Sequence, residues 1–95
     1  MATLLLLTGG LPAVANDIFA GRKVYNAHCA QCHGSDGRAL VAGSPDFNRG
    51  TSLNLPDGEL VRRIRSGRNL MPGYEGILKT KDILNVIAYM RSLQR

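Results

Sequence analysis

Cys29-Ala30-Gln31-Cys32-His33 is the stretch of this chain whose residue types and spacing specify chemistry. Two thiols three positions apart, followed directly by an imidazole, form the C-x-x-C-H pattern through which c-type haem is attached. Residues i and i+3 of a helix lie on one face. Both sulfurs can therefore add to the two vinyl groups on one side of a porphyrin. The residue after the second cysteine then sits under the iron, which makes His33 the expected proximal ligand. Three other chemistries use cysteine pairs. A structural zinc site needs four ligands; the chain has two Cys and two His, and His28 adjoins Cys29 so closely that a compact site would be cramped. A redox dithiol of this spacing belongs to a βαβ setting, and a disulfide across two residues would be strained and close almost no loop. Haem attachment uses both thiols and the imidazole and leaves no free cysteine.

The sixth iron ligand decides what such a haem does, because a thioether favours the ferrous state and raises the potential, while an open position admits small ligands. The methionines are Met1, Met71 and Met90. Met1 is terminal, and Met90 recurs with Ile83, Val86 and Ile87 at helical spacing, as a core residue does. Met71 stands in a glycine-flanked loop, stiffened by Pro72, where it has no helical face to serve. It is the expected axial ligand. His28 emerges from the helix that carries the attachment motif, on the proximal side, and reads as a rim histidine.

The rest of the chain has to position these side chains. Its 95 residues allow one domain. A hydrophobic fraction of 44% excludes a disordered chain, yet a chain this short usually needs a disulfide, metal or cofactor to complete its core. No run of ~18 apolar residues occurs, so no membrane span is expected. Met1–Ala15 is uncharged, with an apolar run at Leu4–Leu7 and the small-x-small end Ala13-Val14-Ala15. It reads as an export signal that lacks the usual basic start, followed by a domain over 16–95 in an oxidising compartment, the periplasm. The spacing predicts three helices: Asp17 to Cys29 with Asp17 as N-cap, Pro56 to Ser66 stopped by Gly67, and Thr80 to Leu93. Between the first two runs an irregular stretch, Gly34 to Leu55, of a length normally explained by a function or a bound group. No segment alternates with period two, so the fold class is all-α.

Together these segments resemble the small bacterial class I cytochromes c over nearly all of Asn16–Arg95. The likeness rests on Gly21-x-x-x-Tyr25-x-x-x-Cys29-x-x-Cys32-His33-Gly34, on Ile64-x-x-Gly67-x-x-x-Met71-Pro72, and on the closing helix from Ile83 to Leu93 with Tyr89. It implies three main helices wrapped around one covalently bound haem c, with the first and last helices crossing steeply at Gly21 and Tyr25 and Tyr89 packed nearby. It also implies that Pro45 presents its carbonyl to the Nδ1–H of His33, which would fix the ring's tautomer and orientation. Arg49, Asn54 and Arg68 become candidates for holding the haem propionates. One departure is the start of the second helix, Pro56-Asp57-Gly58, which lacks the usual Ser/Thr cap and should be looser than in relatives.

An imidazole and a thioether on a covalently held haem change geometry little between oxidation states, which favours electron transfer over chemistry on a bound substrate. The contrasting reading is a peroxidase-like or gas-sensing protein in which Met71 leaves the iron. A formal charge of +5, with Arg62, Arg63, Arg65 and Arg68 on and after the second helix, suits steering toward an acidic redox partner. Nucleic acid is excluded as a partner because the basic residues lack interleaved aromatics. The chain also resembles the small cytochromes that accompany dissimilatory nitrite reductase, which implies donation to that reductase or to the maturation of its haem. A monomer is expected, although the glycine-bearing stretch Gly34–Gly50 would permit exchange of the first helix between two copies.

Overall fold

The structure, a computed structural model, describes residues 16–49 and 51–94; the expected export signal at Met1–Ala15 lies outside them. Helix α1 spans Ile18–His28. Its start is set by the Asp17 carboxylate, which accepts from the backbone N–H groups of Phe19 (2.9 Å) and Ala20 (3.0 Å), a cap worth about 1 kcal/mol. The first helix ends where its spacing predicts, at the first cysteine of the attachment motif. Its cap there is Cys29 (φ −116°, ψ −37°), and a separate single turn, α2 (Ala30–His33), carries the remainder. The break still keeps the two cysteines in helical relation, because the Cys29 carbonyl accepts from Cys32 N–H (3.2 Å) and His33 N–H (2.9 Å).

Helix α3 spans Asp57–Ser66 and α4 spans Thr80–Ser92. Pro56 sits at the N-cap of α3 without a side-chain cap, as the sequence suggests, but the segment is not left loose. The Arg91 guanidinium pairs with the Asp57 carboxylate and donates to the Leu55 carbonyl at 2.8 Å. A residue of α4 thereby holds both the start of α3 and the chain entering it. Asp82 closes the first turn of α4 by accepting from Lys79 N–H (3.0 Å).

The main packing is α1 against α4, with α3 also packed on α4. Tyr25, Ile83, Val86 and Ile87 are the largest fully buried side chains. At the crossing, a Cβ on Gly21 would lie 2.0 Å from the Asn85 carbonyl oxygen, so only glycine lets the backbones approach. The Asn85 side chain accepts from Asp17 N–H (2.8 Å), locking the same contact. The rings of Tyr25 and Tyr89 pack with centroids 5.2 Å apart, and the Tyr25 hydroxyl donates to the Gly34 carbonyl at 2.6 Å. Gly21→Ala should therefore lower stability by about 2 kcal/mol, the overpacking cost exceeding the helix-propensity gain. A thermal melt of the haem-loaded protein checks this; the drop expected is roughly 8–16 °C.

The irregular stretch after α2 contains one short 3-10 turn, Thr51–Leu53. Asn48 anchors it: its buried amide donates to the carbonyls of Asp36 (2.7 Å) and Leu93 (2.9 Å), tying the loop to the end of α4. Among the described residues there is no strand, only an isolated bridge between Arg68 and Met71. None of the described helices is long and apolar enough to cross a membrane.

Candidate functional site

A cavity of about 570 Å³ opens between α2, the following loop, α3 and α4, within the ~300–1,000 Å³ typical of ligand sites. Cys29, Cys32 and His33 line it on one side and Met71 on another; Leu53, Leu60, Ile64, Val86 and Met90 supply apolar wall. The attachment motif and Met71, far apart in sequence, thus meet on a single cavity.

Each side of it is held by the backbone. His33 is half-buried at the end of α2, and its ring stacks on Phe47 with centroids 4.7 Å apart and planes at 29°. Burial lowers its pKa below the usual histidine value, keeping the imidazole neutral, as a metal ligand must be. Its Nδ1 is buried without a partner, an arrangement that costs about 1–3 kcal/mol unless an acceptor or donor reaches that nitrogen. Pro45 lines the cavity too, but the hydrogen bond expected between its carbonyl and His33 is not formed. The ring is oriented instead by Phe47, whose own backbone N–H is fixed to the Gly37 carbonyl at 2.9 Å.

Met71 is held more tightly than a loop position suggests. Arg68 N–H donates to the Met71 carbonyl (3.0 Å) and Met71 N–H to the Arg68 carbonyl (2.9 Å), closing a tight turn with Asn69 at φ 55°. The turn folds back on the end of α3 through two glycines. A Cβ on Gly67 would lie 2.7 Å from the Met71 carbonyl, and one on Gly73 2.5 Å from the Arg65 carbonyl. Beyond it, Tyr74 N–H donates to the Ile64 carbonyl (3.0 Å) and the Tyr74 hydroxyl to the His28 carbonyl (3.0 Å).

The donor set fits a covalently attached haem and none of the competing chemistries. Burial pushes the Cys29 thiol up to about 11, whereas a redox dithiol needs a thiolate near neutral pH. Among the described residues no group of three or more His, Cys, Asp or Glu is placed to hold a metal ion, which removes the zinc site. Two thiols, an imidazole and a thioether on one apolar cavity are what a haem c would engage.

The three propionate candidates separate. Arg68 lines the cavity. Arg49 and Asn54 line a neighbouring hollow with Leu55, Pro56 and Arg91, which shares only Leu53 with it; the loop carries them past the cavity wall. Ser52, which the sequence did not single out, lines the cavity with its hydroxyl buried and unpartnered, a further group that would donate to a haem carboxylate. Phe47 and Tyr74 were likewise not legible as site residues, since a lone aromatic in a loop carries no periodic signal. His28 sits at the rim, exposed, with the Tyr74 ring edge-on at 5.5 Å.

A helical fold around a cavity that carries both halves of a haem site defines a c-type cytochrome. Residues 16–90 match the family described as cytochrome c oxidase, cbb3-type, subunit III. The chain is 36% identical over 93 residues to cytochrome c6 of Synechococcus sp., covering 93% of this chain and 82% of that one. The solved cytochrome c6 of the diatom Phaeodactylum tricornutum superposes with a TM-score of 0.67 at 26% identity, covering 80% of this chain and 92% of that one. The c-type cytochrome KustC0563 shares the fold, with a TM-score of 0.71 at 22% identity over 79% of this chain and 98% of that one. The chain belongs to this family of class I monohaem c-type cytochromes and is cytochrome c6-like within it. It is an electron carrier with one covalently bound haem c, working with redox partners, and is not an enzyme.

Proposed function

We propose that His33 and Met71 are the axial ligands of an exported, monomeric carrier that donates electrons in the periplasm to a partner with an acidic docking surface. The observation that carries this is the shared cavity, with Met71 brought to it by a hydrogen-bonded turn rather than a free loop. Bound haem supplies a one-electron iron couple; the chain's part is to hold both ligands, keep water from the iron and leave a route for the partner. A ligand on so constrained a turn disfavours the peroxidase-like or gas-sensing reading, which needs Met71 to leave. The oxidised spectrum tests it: a weak far-red thioether-to-iron band is expected, and a high-spin spectrum without that band would support the displaced-ligand reading. Export with cleavage after Ala15 is supported by the uncharged apolar segment and its small-residue end; mature protein beginning at Asn16 is the expected product.

The ion pairs support a narrower docking point for an acidic partner. Of the four arginines expected to form a basic rim, Arg62 and Arg63 both pair with Glu59, the latter at 3.1 Å, and their hydrogen bonds hold the Glu59 carboxyl down at about 2. Arg65 lies 3.7 Å from Glu75 and bonds the Thr80 hydroxyl. Arg68 has no side-chain partner among the described residues and stands at the cavity beside Leu70, which is 89% exposed. Arg68→Ala should slow association with an acidic partner roughly two- to tenfold at low salt and flatten the salt dependence; Arg62→Ala should change the rate by less than about twofold. Equal effects in stopped flow would mean that overall charge, not this turn, does the steering. The acceptor we assign is a respiratory reductase such as nitrite reductase, supported by the sequence resemblance; reduction of that enzyme by the purified, pre-reduced carrier tests the assignment.

A further inference from the structure

We infer that Tyr74 is a positioning residue that latches the Met71 turn to the haem-attachment helix and so slows displacement of Met71 by other ligands. The inference rests on the reading of Met71 as an axial ligand. Tyr74 follows Met71 by three residues and is buried although it lies in a loop. Its backbone fixes it to α3 through Ile64, while its side chain crosses to α1: the hydroxyl donates to the His28 carbonyl, and the ring stands edge-on to the His28 imidazole. His28 is the last residue of α1 and the neighbour of Cys29. Its carbonyl is one of those left without a helical N–H partner at a helix C-terminus, so the phenol satisfies an acceptor that would otherwise stay open. Among the described residues this is the sole hydrogen bond between segment 67–78 and either α1 or α2. Among the described residues, the other hydrogen bonds of this segment run within it or to α3. Moving Met71 away from the attachment side therefore strains this bond first. Burial also raises the Tyr74 phenol above its usual pKa, keeping the proton on the donor.

The test uses the oxidised haem-loaded protein and imidazole as the incoming ligand, followed by loss of the far-red thioether band. Tyr74→Phe retains the buried ring and removes only the hydroxyl. Its expected phenotype is an intact band without imidazole, but imidazole binding that is roughly two- to tenfold tighter, through faster loss of Met71. The wild-type reduction potential should be nearly kept, since the ligand itself is unchanged. Tyr74→Leu, which also removes the ring's contact with His28, should open the site further. A Tyr74→Phe protein that binds imidazole at the wild-type rate and affinity, with the band present in both, overturns the latch and leaves the Met71 reading standing. A wild-type protein with no far-red band overturns both.

Discussion

Met71→Ala is expected to leave the haem attached, abolish the far-red band, admit CO to the reduced iron and lower the reduction potential by at least on the order of 100 mV. The size follows from ligand chemistry. Axial ligands move haem potentials over about 0.8 V, and a one-electron shift of about 59 mV is tenfold in the equilibrium constant, so this loss corresponds to roughly fifty-fold or more. The fold should survive, because Met71 is half-buried and its turn is held by main-chain bonds to Arg68 and by the glycine contacts with α3, none of which uses the side chain. Attachment should survive as well, since Cys29 and Cys32 stand on the turn at the end of α1, whose backbone bonds do not involve Met71. Spectroelectrochemistry and a CO-difference spectrum read both consequences. An unchanged potential with a low-spin spectrum would transfer the role to Met90, whose side chain lines the same cavity from α4.

What was legible beforehand follows from which signals are local. Asp17 as an N-cap, the apolar stripe of Ile83, Val86, Ile87 and Met90, and the stop at Gly67 depend on near neighbours in sequence, and each stands where its pattern puts it. Gly21 was legible only through family likeness, because nothing in its own segment says that the Asn85 carbonyl lies against it. The end of the first helix at Cys29 was legible, but the separate turn Ala30–His33 that carries the second cysteine and the histidine was not, because four residues are too few to show a period. Arg91, Asn48 and Tyr74 are the opposite case: each bonds a backbone carbonyl far away in sequence, and a side chain that serves a distant carbonyl leaves no trace in spacing. In the arginine cluster charge counting reads the sign but not the geometry, since Glu59 pairs with two of the four. At the site, the chemistry-bearing residues were readable from type and spacing, while the packing partner that orients His33 was not.

Replacing both Cys29 and Cys32 by Ala is expected to yield neither haem-loaded protein nor a folded apo-protein. Leu53, Leu60, Ile64, Val86 and Met90 face the cavity of about 570 Å³, and they belong to or pack on the same core as Tyr25 and Ile87. Without a group in that space, water meets a wall made of core side chains, and each apolar side chain left wet forfeits roughly 1.5–3 kcal/mol of burial. A domain of this size has only about 4–12 kcal/mol of total stability. Several such side chains are enough to use up a margin of that size, so the chain is expected to have no stable fold without a group in that space. The α1–α4 contact at Gly21 does not rescue it, because Val86 and Met90 are shared between that helix pair and the cavity wall. Far-UV circular dichroism should therefore show weak helicity without a cooperative melt, and no pigment should survive acid-acetone extraction. A colourless double variant that is monomeric, helical and melts cooperatively would show that the four helices close on themselves, and that the cavity is a binding site added to a finished core rather than the core's missing centre.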